Sequence, residues 1–191
     1  GEARECIGKW RNELNRQICH NEKEENDRRR RIVLSAFFLA RCLRCMAADE
    51  KNDVLLHEAL EATNESVVCG EQNVMLQLYL ERSYILCELK KYDEASDLCS
   101  IIVDRDEYCI PAYFIRQEAN FELRRPEAVF EDYHRLINMV PDLQLPKPYA
   151  IAANVYVIYG RYKDALEIIK LADENGAKSD YIEYVRASAL R

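Results

Sequence analysis

The chain has 191 residues, a formal net charge of -7 and eight cysteines. A chain of this length can bury a full hydrophobic core. The acidic balance disfavours a nucleic acid as the main partner, because phosphate binding requires a basic surface. No stretch approaches the ~18 consecutive apolar residues of a membrane span, so we expect no contact with a membrane and an intracellular location, cytoplasmic or nuclear.

Residues 1–75 are predicted to form N-terminal helices of a degenerate or capping repeat. A first amphipathic helix over 3–20 carries an apolar stripe at helical spacing, composed of Cys6, Ile7, Trp10, Leu14 and Ile18. The polar stretch 21–31 either extends this helix or links it to the next. A strongly apolar helix over 31–48 follows and should be buried on more than one side. Asp53 is expected to cap a third helix, which 67–70 would end.

The most regular pattern of the chain is a turn between paired helices. It is Tyr92-Asp-Glu-Ala95 in one copy and Tyr162-Lys-Asp-Ala165 in another, and Ala128 is the corresponding alanine between them. A period near 34 residues with paired helices is typical of tetratricopeptide repeats. The pattern predicts three such repeats and a final capping helix over 76–191. Asn175 and Gly176 should stop the last repeat with a left-handed residue.

The predicted fold is therefore all-α. We expect about ten helices and no strands, arranged as a right-handed superhelical stack of antiparallel helix pairs, an α-solenoid. Short connections make neighbouring helices antiparallel, and each pair buries its apolar face against the next pair. Pro111 and Pro126 should open helices, where a missing N–H costs nothing, and Pro141, Pro146 and Pro148 should mark a longer loop between repeats.

The segments 78–83 and 109–116 resemble the second and third repeats of chaperone-binding tetratricopeptide domains. The resemblance implies a carboxylate clamp that grips the free C-terminal carboxylate of a heat-shock chaperone. The clamp has Asn where this chain has Glu81, Lys where it has Pro111, and Arg where it has Ile115. A co-chaperone of the carboxylate-clamp type is thus an alternative function, and the resemblance points mainly to the fold.

Catalytic and metal-binding patterns are weak in this sequence. Cys42 and Cys45 form a lone Cys-x-x-Cys, whereas a structural zinc site needs four ligands. The three histidines adjoin no nucleophile motif, and five glycines form no phosphate-binding loop. We expect no enzyme activity, no cofactor, no metal and eight free thiols, as in a reducing compartment.

The expected function is that of a scaffold or adaptor that binds a partner protein in its concave groove, as an interaction module or a subunit of a larger complex. The first helix of each pair should line this groove, with the partner-binding residues Leu80, Tyr84, Glu88, Phe114, Glu118, Phe121, Lys147, Asn154, Tyr181 and Tyr184. Such a groove would be apolar in the middle and acidic at the edges. It would suit a helix or extended peptide with hydrophobic anchors and basic flanks.

Two alternatives to this groove stay open. Some of its aromatic residues would be core residues if the helical frame is shifted by a few positions. An RNA-binding helical-repeat protein would have the same helix pattern but would present Lys and Arg along the concave helices, where this chain has Glu88, Glu118 and Glu122.

Overall fold

A computed structural model describes residues 2–64 and 72–191. The described residues form ten α-helices and no β-strand, which confirms the predicted all-helical fold. The helices are α1 Glu2–Arg16, α2 Glu22–Glu50, α3 Asp53–Ala62, α4 Gln72–Glu88, α5 Tyr92–Arg105, α6 Ile110–Glu122, α7 Pro126–Met139, α8 Pro146–Ile158, α9 Tyr162–Glu174 and α10 Asp180–Ala189. The stop predicted at 67–70 lies outside the described residues.

The turns within helix pairs share one backbone motif. Lys90, Arg124 and Gly160 each adopt a positive φ, at 60°, 58° and 70°. In each turn the next N–H donates to a carbonyl five residues back, as Lys91 does to Leu86 at 2.8 Å. This is the bonding of a helix C-terminus that ends on a left-handed residue. The intervals of 34 and 36 residues between these positions confirm the repeat period.

The same motif occurs at a fourth turn and corrects one assignment made from the sequence. Lys51 also has a positive φ, 50°, so α2 and α3 form a helix pair with the repeat's turn although they lack the Tyr-x-x-Ala pattern. Counting from Arg124, the residue equivalent to Ala95 and Ala165 is Val129 rather than Ala128. Val129 is fully buried, whereas Ala128 is only partly buried.

Contacts divide the chain into two compact units, Gly1–Leu98 and Cys99–Arg191, with the boundary inside α5. The division proposed from the sequence, at residue 75, stays a prediction. Gly176 has a φ of 73° directly after α9, which agrees with the predicted left-handed stop.

In the first unit, α2 packs against α1, α3 and α4. Its core cluster joins Val33 and Ala36 of α2 to Val74, Met75 and Leu78 of α4. The stretch 21–31 is the beginning of α2, since the Asn21 side chain accepts the Glu24 N–H at 2.9 Å and the Glu24 carboxylate accepts the His20 N–H in return. This reciprocal cap explains why α2 starts ten residues before Ile32, the first residue of the apolar run.

Two expectations for the first unit are wrong. Helix α1 ends at Arg16, so Ile18 lies beyond it in solvent, and Leu14 is the buried member of the apolar stripe. Asn52, not Asp53, caps α3, because the Asn52 side chain accepts the Val54 N–H at 3.0 Å. Asp53 is the first helical residue.

In the second unit, α8 lies beside both α6 and α10, and α7 and α9 pack against this layer. Fully buried alanines allow the helices to approach closely: Ala112, Ala119, Ala150, Ala152, Ala153, Ala165 and Ala172. Pro146 and Pro148 belong to the first turn of α8 and not to the preceding loop. The buried Tyr149 hydroxyl fixes that loop by donating to the Leu143 carbonyl at 2.9 Å.

Candidate partner-binding surfaces

The first unit carries a pocket between α2 and α4. It has a volume of about 480 Å³ and is lined by Phe37, Arg41, Arg44, Gln77, Leu80, Glu81 and Tyr84. Leu80 and Tyr84, both predicted to bind a partner, lie here half-buried and one helical turn apart. The frame predicted for α4 is therefore compatible with the structure, because Ser83 and Leu86 point into the core.

Arg44 of α2 organises this pocket. Its Nε donates to Glu81 Oε1 at 2.6 Å, and its Nη1 donates to Glu88 Oε1 at 3.1 Å. The guanidinium also lies over the Tyr84 ring, 5.3 Å from the centroid. Burial disfavours the charged guanidinium, but the hydrogen bonds and charges of Glu81 and Glu88 outweigh it, so the pKa of Arg44 is raised. The charge of Glu88 is thus already partly neutralised inside the protein.

The second unit brings side chains of α6, α8 and α10 together on one surface, which we call the tyrosine surface. Lys147 of α8 forms an ion pair of 2.6 Å with Glu118 of α6. Asn154 of α8 donates to the Tyr181 hydroxyl of α10 at 2.9 Å. Tyr181 stacks on Tyr184, with 6.5 Å between ring centroids. Five of the predicted partner-binding residues therefore make direct contacts in two groups, Glu118 with Lys147, and Asn154 with Tyr181 and Tyr184.

Glu122 adds a negative charge to the tyrosine surface. Burial raises the pKa of Tyr181, the hydrogen bond from Asn154 opposes this, and the charge of Glu122 adds to the increase. Tyr181 consequently stays protonated at neutral pH and can both donate and accept hydrogen bonds. Tyr184 is 65% exposed and presents its ring to solvent.

Two of the expected properties differ in the structure. Phe121 is partly buried and packs against the core cluster of Val129, Ile151 and Val155, so part of its ring is unavailable to a partner. Glu88 and Glu118, expected to select positive charge, are both engaged by cations of the protein. The sequence does not reveal these pairs because Arg44 and Lys147 lie far from their partners along the chain. Phe114 is half-buried on α6.

At the three positions that correspond to the carboxylate clamp, this chain has side chains of a different chemical type. Glu81 is buried and bound to Arg44, Ile115 is buried in the core, and Pro111 lies in the first turn of α6. None of these three side chains can donate a hydrogen bond to a peptide carboxylate at neutral pH.

Two further features are absent from the described residues. No group of three or more His, Cys, Asp or Glu side chains is placed to hold a metal ion there. Within the same residues, no helix combines the length and the apolar character that crossing a bilayer requires.

Comparison with solved structures establishes the fold. MamA 41-end from Desulfovibrio magneticus RS-1 superimposes with a TM-score of 0.59 over 94% of this chain and 98% of that chain, at 12% identity. MamA AMB-1 superimposes with a TM-score of 0.57 over 75% and 78% of the two chains, at 20% identity. Both are helical repeat proteins of the tetratricopeptide type. The chain has a tetratricopeptide-repeat fold.

Sequence comparison supports the same relationship to the tetratricopeptide-repeat superfamily. The peptidyl-prolyl cis-trans isomerase FKBP42 of Arabidopsis thaliana is 28% identical over 142 residues. The match spans 65% of this tetratricopeptide-repeat chain and 39% of the length of FKBP42. No family model matches the chain.

Proposed function

We propose that this tetratricopeptide-repeat chain is a non-catalytic protein-interaction module, a scaffold or adaptor, whose tyrosine surface binds a segment of a partner protein. The observation that carries the proposal is the convergence of α6, α8 and α10 on an exposed, stacked pair of tyrosines. Tyrosine supplies a large contact area with little loss of conformational entropy and is enriched among residues that dominate binding.

The chemistry of the tyrosine surface favours a partner with one apolar or aromatic anchor flanked by hydrogen-bonding groups. The anchor would lie against Tyr184, and Asn154 and Tyr181 would bind polar groups beside it. Glu122 favours a basic residue in the partner. Glu118 would do so only after Lys147 leaves it, so basic flanks contribute less than the sequence suggested.

The pocket of the first unit is proposed as a separate contact. Leu80 and Tyr84 supply apolar area there, and Arg41, which lies over the Phe37 ring, adds a positive charge at its rim. An extended partner could contact either surface, and single substitutions distinguish them.

The test compares Tyr184→Ala with Tyr108→Ala, a matched control at an exposed tyrosine of the same unit outside the tyrosine surface. Proteins captured by the wild-type chain from an extract would be identified, and one would be purified for calorimetry. We expect Tyr184→Ala to weaken that binding by about 1–3 kcal/mol, the range for a dominant contact, with an unchanged melting midpoint. Equal affinities for the wild type and both variants would refute the proposed surface.

Phe114→Ala separates a binding role from a core role. As a binding residue it should cost about 1–3 kcal/mol of affinity. As a core residue it should cost about 3–5 kcal/mol of folding stability. A large drop in the melting midpoint would remove Phe114 from the site and leave the tyrosine pair untouched.

Two other function classes are tested by separate binding measurements. RNA binding that is submicromolar at ~0.15 M salt and falls steeply with added salt would favour an RNA-binding helical-repeat protein. Tight binding of a peptide with an acidic, chaperone-like C-terminus would favour a carboxylate-clamp co-chaperone.

A further inference from the structure

Two turns of the second unit meet at a small apolar cavity. The α6–α7 turn and the α8–α9 turn together line it with Phe121, Arg124, Arg125, Pro126, Val129, Val155, Ile158 and Tyr159. Its volume is about 30 Å³, enough for the end of one aliphatic side chain. We call the surface made by residues 121–127 and 158–164 the turn edge.

Large apolar side chains are clustered around this cavity. Ile158 is 50% exposed, Tyr159 61% and Tyr162 48%, all within five residues. Single exposed apolar residues are ordinary, but a cluster beside a cavity is typical of an interaction site. The arrangement follows from the repeat's turns, since Gly160 and Arg124 adopt the left-handed conformation that ends α8 and α6.

The turn edge is basic in an otherwise acidic chain. The segments 121–127 and 158–164 contain four basic residues, Arg124, Arg125, Arg161 and Lys163, and three acidic residues, Glu122, Glu127 and Asp164. Glu122 belongs to the tyrosine surface, where its charge acts on Tyr181. Arg161 binds Asp164 at 2.7 Å and lies over the Tyr156 ring. Arg124 and Lys163 form no ion pair with any residue in the described ranges.

From this combination we infer that the turn edge is a second docking site, which binds an acidic peptide segment carrying one aliphatic or aromatic anchor. The anchor enters the cavity against Val155 and Tyr159, and carboxylates on either side of it pair with Arg124 and Lys163. Glu122 is the one residue of the turn edge that also belongs to the tyrosine surface. The cavity favours a peptide over a lipid membrane, because a single side chain fits it and a bilayer offers none.

The variants are chosen at exposed positions so that folding is retained. Ile158→Ser with Tyr159→Ser removes the apolar rim. Arg124→Asn removes the charge and keeps a residue that tolerates a positive φ. Lys178→Asn is the control, since it removes an exposed positive charge from the α9–α10 connection of the same unit.

The probe is a phage-displayed library of random peptides, selected in parallel on the wild type and on each variant. We expect peptides recovered on the wild type alone to carry Asp or Glu on both sides of a Leu, Ile, Met or Phe. An enriched peptide, synthesised with a fluorophore, should bind the Arg124→Asn and Ile158→Ser/Tyr159→Ser variants about tenfold more weakly by anisotropy. Binding should also weaken with added salt.

Several results would overturn the inference. These are recovery of basic or neutral peptides, no enrichment on the wild type over the variants, or an affinity loss in Lys178→Asn equal to that in Arg124→Asn. Loss of the same peptide in Tyr184→Ala would show that the two surfaces are one. Vesicles of phosphatidylserine and phosphatidylcholine that bind the wild type but not Arg124→Asn, in the absence of peptide binding, would assign the turn edge to a membrane.

Discussion

Arg116 holds the buried carboxylate of Asp132 between α6 and α7. The guanidinium donates to Asp132 Oδ1 at 2.6 Å and to the Ser100 hydroxyl at 3.1 Å, and Asp132 is almost fully buried. Burial raises the pKa of Asp132, and the hydrogen bonds and charge of Arg116 oppose that increase. The pair therefore depends on both of its members, since a buried charge without a partner is strongly unfavourable.

Removing only Arg116 should destabilise the second unit severely. We expect Arg116→Leu to lower the free energy of unfolding by about 3–5 kcal/mol, measured by urea denaturation at neutral pH. The loss should shrink as the pH falls, because an unpaired Asp132 with a raised pKa becomes protonated and its desolvation penalty disappears.

The matched control is the double variant Arg116→Leu/Asp132→Leu. It buries no charge and should recover much of the stability, since replacing both members of a buried pair by apolar residues is often nearly neutral. A double variant as unstable as the single one would mean that packing, and not charge, accounts for the loss.

Side-chain pairs of this kind mark the limit of what the sequence predicts at the residue scale. Helical spacing placed Ser83, Leu86 and Ala95 correctly in the core, because one face of a helix can be read from a period of 3.6 residues. It could not connect Glu81 to Arg44, since their contact joins two different helix pairs. The same limit applies to Phe121, which is partly buried and packs against residues of α7 and α8.

Single helices were predictable where glycine or proline marks their ends. Pro126 opens α7 and Gly176 follows α9, as expected. The end of α2 was predicted at residue 48 and lies at Glu50, although Lys51 adopts the left-handed conformation without the glycine that usually signals it. The beginning of α2 was hidden, since its capping residues lie within a polar run that reads equally well as a linker.

The cap of α3 offers a test at this scale. Asn52→Ala removes the side chain that accepts the Val54 N–H and should cost about 1 kcal/mol of stability. Asp53→Ala leaves this hydrogen bond intact and removes only a favourable first-turn charge, worth about 0.3–1 kcal/mol. Thermal unfolding of both variants, followed by circular dichroism, compares them directly. A larger effect at Asp53 would restore it as the cap.

On the scale of the whole molecule, the repeat period predicted the fold, and the comparison with solved structures confirmed it. The period can be recognised in the sequence because every repeat must pack apolar residues against the next repeat. The partner cannot be predicted in this way, since the residues of a binding surface need not recur at a regular spacing in the sequence. The proposed tyrosine surface illustrates this, since it combines residues of three helices, Glu118, Lys147, Asn154 and Tyr181.

The cysteines give a prediction for the molecule as a whole. Seven of them lie in the described residues, in no disulfide there, and Cys69 lies outside those residues. Thiol titration of the denatured, unreduced protein should detect eight thiols. In the native protein, the exposed Cys6 and Cys45 should react first and the buried Cys99 only on unfolding. Fewer than eight thiols after denaturation would reveal a disulfide or an oxidised cysteine.

Trp10 is the single tryptophan of the chain, and it lies on α1 with 38% of its surface exposed. Its indole fluorescence therefore reports the contact of α1 with α2 and none of the packing inside the later repeats. Because α1 buries little apolar surface, it should detach before the rest of the protein melts. Emission and far-ultraviolet dichroism should then give different unfolding curves for the same sample, and the dichroism curve is the one that follows the repeats.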